Sequence, residues 1–242
     1  MMWSNSGSPL LRRLPRQVNV VNLAFLQGDA PRLVGWGSQG RASFISDARR
    51  LRARGVRIVA SVGGAHGRVN LRHRAAFVRG VMRLNAKLPL DGLDWDVEGG
   101  TAMAAADVVW ISKRLKALRG RKFAITLAPN GSNIDRYRAI AVRLHRVGAL
   151  DMIGQQFYDA VVSKEAARGR VQQLVSAGIP RSKIAVGMMV GSRNVYWTVA
   201  DCVRAVRFVK ARFPSMRGGY LWEHGRADTR RWARRLAPVL RT

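Results

Sequence analysis

The alternation of hydrophobic and polar positions changes period many times along this chain. Short apolar runs cover Asn19–Leu26, Arg57–Val62, Gly92–Glu98, Phe123–Pro129, Met152–Tyr158, Ile184–Val190 and Gly219–Trp222. Their length and their bounding Gly and Pro residues predict strands. Between them lie stretches with helical spacing, over about residues 43–54, 71–87, 104–118, 134–147, 164–176, 199–212 and 229–240. In the second stretch the spacing predicts Ala75, Val78, Met82 and Leu84 facing inward, with Arg72, Arg74, Arg79 and Arg83 in water. Seven strand–helix alternations predict a parallel sheet with right-handed crossovers. Closed into a ring, that is an α/β fold of the (β/α)8 TIM-barrel kind with one strand wanting. The deficit falls at the start, where Met1-Met2-Trp3 reads as the stub of a truncated or poorly formed first strand, followed by a short helical piece at Pro9–Leu14. An open doubly wound sheet is the fold alternative. Gly and Pro fall at regular intervals without a low-complexity linker, so residues 1–242 read as a single domain.

One strand departs from the apolar rule. Asp94, Asp96 and Glu98 alternate with Leu93, Trp95 and Val97, placing three acids on one face about 6 to 7 Å apart. Asp91 opens the same segment and is expected to shape the start of the strand. Partly desolvated carboxylates at this spacing cannot all ionise cheaply, so protons are expected to be shared or retained among them. An acid kept protonated beside an ionised one is equipment for acid-catalysed bond cleavage. A solvated acidic face and a hard-metal site are the competing readings. The second lacks a further cluster of acids to complete a ligand shell, and no metal or other cofactor is expected.

Composition sharpens the contrast. The chain holds 14 acidic residues against 43 basic ones, for a formal charge of +29, so four carboxylates in eight positions do not reflect an acidic background. Of the basic residues 36 are Arg and 7 are Lys, spread over nearly every expected helix. A field this positive predicts non-specific adhesion of the Arg-rich surface to polyanions such as nucleic acid or an anionic cell wall. No zinc-finger, helix-turn-helix or aromatic RNA-binding motif accompanies it. The single cysteine, Cys202, excludes an internal disulfide. No apolar stretch reaches membrane-spanning length, and no signal peptide is visible at the amino terminus. The compartment is not set by these features.

The acid strand matches Asp-x-x-Asp-x-Asp-x-Glu, and here the chain resembles the family 18 glycoside hydrolases, which include chitinases and endo-β-N-acetylglucosaminidases. Ser61-Val62-Gly63-Gly64 looks like the family's Ser-x-Gly-Gly on the third strand, and Val20–Phe25 like its second strand. Gln156-Phe157-Tyr158-Asp159 resembles the Gln-x-Tyr-Asn/Asp element of the sixth, and Gly219–Trp222 the eighth with its terminal tryptophan. The resemblance spans about residues 18 to 223. It implies a glycosidase that retains anomeric configuration by substrate assistance, an exception to the two-carboxylate scheme. By the same resemblance Glu98 is the general acid, Asp96 holds the substrate acetamido group, Asp94 shares a proton with Asp96, and Tyr158 donates to the acetamido carbonyl. Trp222 floors the sugar subsite. Gln156, Ser61, Gly63, Gly64 and Asp159 complete the substrate-binding set, and Trp36, Tyr196 and Trp197 are candidates for stacking on sugars.

The implied activity is endo-hydrolysis of β-1,4-linked N-acetylglucosamine polymers, most simply chitin, met outside cells or after lysis. Only residues 191–198 separate the seventh strand from the next helix, which predicts a shallow open groove rather than a tunnel. Alternatives are an endo-β-N-acetylglucosaminidase, a cell-wall lytic glycosidase, and a non-catalytic chitin-binding barrel lectin. Many relatives carry an aromatic residue on the first strand in support of the deep acids, and here that strand is expected to be truncated or absent.

Overall fold

The computed structural model describes residues 2–4, 11–34, 40–67, 69, 70–98, 103–158, 161, 163–189, 198–222 and 229–241. Among these residues nine strands occur in chain order: β1 (Met2–Ser4), β2 (Val20–Gln27), β3 (Arg32–Leu33), β4 (Arg57–Gly64), β5 (Gly92–Val97), β6 (Ala124–Leu127), β7 (Met152–Gln156), β8 (Ile184–Met189) and β9 (Gly218–Trp222). Seven α-helices separate them: α1 (Gly40–Ala53), α2 (Arg74–Lys87), α3 (Ala105–Arg119), α4 (Ile134–Arg146), α5 (Lys164–Ser176), α6 (Val199–Arg212) and α7 (Thr229–Arg241). Neighbouring strands run in the order β1-β9-β8-β7-β6-β5-β4-β2, all parallel, and β1 also pairs with β2. The eight parallel strands therefore form the ring of a (β/α)8 barrel. Its seam is the three-residue β1, which pairs along its length with Val21, Asn22 and Leu23 but meets β9 only at Met2 and Leu221. The expectation of a truncated first strand holds, and the stub suffices to join the two edges. The short helical piece follows as a 3-10 turn at Leu11–Arg13. The two-residue β3, which the apolar pattern did not mark, folds back antiparallel on β2.

The outward strand faces pack against the helices as one continuous core. Trp95 exemplifies it. The side chain is fully buried, its indole stacks on Phe77 of α2 at 5.6 Å between centroids, and its N–H donates to Ser112 Oγ of α3 at 3.2 Å. That stack turns α2 relative to its expected orientation. Its buried stripe is Phe77, Val78, Val81 and Leu84, while Ala75 is exposed and Met82 only half-buried. Asp91 sits at the amino end of β5, where its carboxylate accepts from the Ile58 amide at 2.9 Å and pairs with Arg52 at 3.0 Å. This ties β5 to β4 and α1. Cys202 is buried, and desolvation pushes its thiol up to about 12. Among the described residues no helix is long and apolar enough to cross a membrane.

Candidate active site

Strand register builds the site. Ser61 on β4, Asp94 on β5 and Thr126 on β6 are consecutive partners across the ladder, so their side chains share one inward layer. Ser61 Oγ donates to Asp94 Oδ2 at 2.7 Å and Thr126 Oγ1 donates to Asp94 Oδ1 at 2.5 Å. Both hydroxyls favour the anion, yet burial outweighs them, and the Asp94 carboxyl is pushed up to about 6.

One layer closer to the carboxyl end stands Asp96, opposite Gly63 in the register. It is 2% exposed and accepts from Gln156 Nε2 at 3.2 Å. Desolvation first, then the charges of Glu98 and Asp94, hold its carboxyl well above the usual range. A side-chain hydrogen bond with Glu98 adds to the same upward shift. Glu98, immediately beyond β5, is half-buried and receives Asn130 Nδ2 at 3.2 Å. The three acids thus form a graded row: two sealed inside the barrel and one at its mouth. A solvated acidic face is excluded, since the faces of β5 are buried alike. Among the described residues no trio of His, Cys, Asp or Glu is set to hold a metal.

The glycines beside the row are there for closeness. Gly63 and Gly64 have φ of +104° and +78°. A Cβ on Gly63 would lie 2.7 Å from the Asp96 carbonyl oxygen, and one on Gly64 would lie 2.6 Å from the Phe25 ring. Opposite the acids, Tyr158 and Tyr220 lie buried with Ala24 and Ala128, and Phe25, Met189 and Trp222 pack against them. Phe25 and Trp222 stack at 5.7 Å, leaving Trp222 half-buried at the end of β9. The Tyr158 hydroxyl donates to that of Tyr220, which donates to the Gly154 carbonyl at 3.0 Å. Burial and the nearby carboxylates push both phenols well above their usual range. Tyr220 reaches this place through a notch: a Cβ on Gly187 would lie 1.9 Å from its ring, and one on Gly154 2.6 Å.

The structure thus gathers Asp94, Asp96, Glu98, Ser61, Gly63, Gly64, Gln156, Tyr158 and Trp222 at the carboxyl end of one barrel. Asp159 lies outside the described residues, as do Trp36, Tyr196, Trp197 and all but Thr198 of the 191–198 segment whose shortness predicts an open groove. Sequence reading missed four contributors. Thr126 and Tyr220 were legible as polar-bearing side chains at inward strand positions, and Asn130 as an amide just past a strand end. Tyr137 carried no such mark. It lies on α4, where its hydroxyl accepts from the Val97 amide at 2.6 Å and donates toward the Trp95 carbonyl at 3.1 Å. It thereby completes the ladder of β5 beyond the point where β6 ends.

A closed (β/α)8 ring with its polar groups at the strands' carboxyl ends is the layout of a barrel enzyme. No protein-family model matches the chain. Comparison with curated proteins finds the chitinase ChiA of Flavobacterium johnsoniae, 21% identical over 91% of this chain, and exochitinase 1 of Streptomyces olivaceoviridis, 29% identical over 52% of it. The chain spans only 20% and 26% of those two proteins. Among solved structures, a family 18 chitinase from Pseudoalteromonas aurantia superposes with a TM-score of 0.83 at 21% identity, covering 99% of this chain and 98% of that one. A fungal family 18 endo-β-N-acetylglucosaminidase gives 0.81 at 18% identity, with 99% and 97% covered. The fold is that of these family 18 glycoside hydrolase structures, and the likeness to them covers nearly the whole chain.

Proposed function

We propose that this chain is a retaining glycoside hydrolase that cleaves β-1,4-linked N-acetylglucosamine polymers internally, with chitin the simplest substrate. The observation that carries the reading is the graded acid row: buried Asp96, whose carboxyl is held well above the usual range and in this reading retains a proton, stands next to Glu98, the one acid of the three that reaches the barrel mouth. Passing that proton along the existing hydrogen bond arms Glu98 and leaves Asp96 anionic. Glu98 then protonates the glycosidic oxygen as the bond to the anomeric carbon breaks. The substrate's own acetamido carbonyl oxygen bonds to the anomeric carbon from the face opposite the departing group, forming an oxazolinium ion. Asp96, now charged, accepts the acetamido N–H and stabilises the cation. Tyr158 turns its hydroxyl from Tyr220 to the acetamido carbonyl, and Trp222 supplies an apolar floor. Water next adds to the anomeric carbon as the bond to the acetamido oxygen breaks, returning a proton to Glu98 and closing the cycle with net retention. Asp94, held by Ser61 and Thr126, keeps Asp96 from losing its proton to solvent. Asp159, by its place after Tyr158 in the motif, joins the binding set.

The test is hydrolysis of a fluorogenic chitooligosaccharide by the wild type and by Glu98→Gln between pH 4 and 8. Loss of about a hundredfold or more is expected from removing the acid. Equal rates, or an inert wild type across that range, overturn the reading. Mixed short oligomers from soluble chitin, rather than one product, are expected of internal cleavage.

A further inference from the structure

The charge of +29 is not paired off over the surface. Arg12 and Arg13 lie in the 3-10 turn with Arg16 just beyond it, Arg54 follows α1, and Arg230 and Arg234 project from the first turns of α7. These six, from three separate parts of the chain, line one crevice of about 610 Å3. None of the six guanidinium groups forms an ion pair among the described residues, and no lining residue is acidic. The nearby Asp47 is buried and accepts from the backbone amide of Arg12, at 3.4 Å, rather than from its side chain. The contrast with an adjoining hollow is direct: there Arg52 lies 3.0 Å from its own carboxylate, Asp91.

Six like charges converging on a concavity repel one another, and folding alone provides nothing to offset that cost. An anion with several charges in a row does offset it. Guanidinium forks match the oxygens of phosphate in two-point contacts, and bound counterions are released as they form. The remaining lining is Leu14, Pro15 and Gln17, without an aromatic ring on which a base could stack. The crevice also lies apart from the acid row, for Arg16 and Arg54 stand on segments that enter β2 and β4 at their amino ends.

We propose that this crevice is a binding site for a short run of linked phosphate groups. It holds the phosphates themselves, with no readout of bases, and it acts independently of the barrel's chemistry. The experiment is isothermal titration of the whole chain with tripolyphosphate at about 0.15 M salt. The wild type is set against the triple variant Arg12→Gln, Arg54→Gln, Arg234→Gln. A control triple, Arg79→Gln, Arg83→Gln, Arg114→Gln, removes the same charge from the α2–α3 surface. All six positions are exposed side chains on formed elements or their ends, so both triples should fold as the wild type does. The expected result is affinity weakened about tenfold or more in the crevice triple and within about twofold of wild type in the control. Equal weakening in the two triples means a diffuse field and overturns the site. So does an absence of measurable wild-type binding. Equal affinity for citrate overturns the phosphate assignment, and tighter binding of an oligothymidylate of matched charge overturns the exclusion of bases.

Discussion

The two faces of β5 carry opposite chemistry under nearly the same burial. Leu93, Trp95 and Val97 face the helices, and Asp94 and Asp96 face the barrel axis, all at 2% exposure or less. Outward, burial is favourable in itself, because apolar area leaves water. Inward, burial costs free energy and has to be offset by Ser61, Thr126 and Gln156, and by retention of protons. The alternation thus marks a division of labour, with one face serving stability and the other reactivity. Substitutions on the two faces should fail differently.

The largest effect expected from breaking this contrast is on the outward face. Trp95→Ala empties the stack on Phe77 and strands the Ser112 hydroxyl, and should cost about 3 to 5 kcal/mol of stability, read by urea denaturation. On the inward face Tyr220→Phe keeps the ring in its glycine notch but removes the hydroxyl that receives Tyr158. A fall of about tenfold in kcat is expected, with KM and urea midpoint nearly unchanged. A shift in stability without one in kcat would make Tyr220 a packing residue only. The smallest effect concerns pH. The folded-state pKa of Asp94 lies at about 6, above its ordinary value of 3.8, so the native chain binds the extra proton between those values. Stability should therefore be fullest below about pH 4 as far as this group is concerned, and decline as pH rises through about 6. Asp94→Asn should flatten that limb in denaturation curves taken at intervals from pH 4 to 7. A decline of the same slope in the variant would assign it to other groups.

Much of this was legible from periodicity. The seven apolar runs found seven of the eight ring strands, and the stub at Met1–Trp3 marked the eighth, because strand pairing in a parallel ring demands a buried run at each position. The acid row was legible because a two-residue repeat fixes which side chains share a face. Its partners were less so. Asp94 meets Ser61 33 residues away and Thr126 32 residues away, and Asp96 meets Gln156 60 residues away. The hydrogen bond of Tyr220 to Gly154 spans 66 residues. The orientation of α2 was misread for the same reason, since it depends on Phe77 finding Trp95.

By itself the sequence determined the order of strands and helices, the common face of Asp94, Asp96 and Glu98, and the excess of positive charge, all of which follow from local spacing and composition. Only the tertiary structure decided that the acid face turns inward, that burial raises the Asp96 carboxyl, that a three-residue strand joins the ring, and that six arginines meet in one crevice. Those outcomes depend on ladder register and on burial. Both arise only when segments distant in the chain are brought together, and desolvation, the largest influence on Asp94 and Asp96, does not exist until they are.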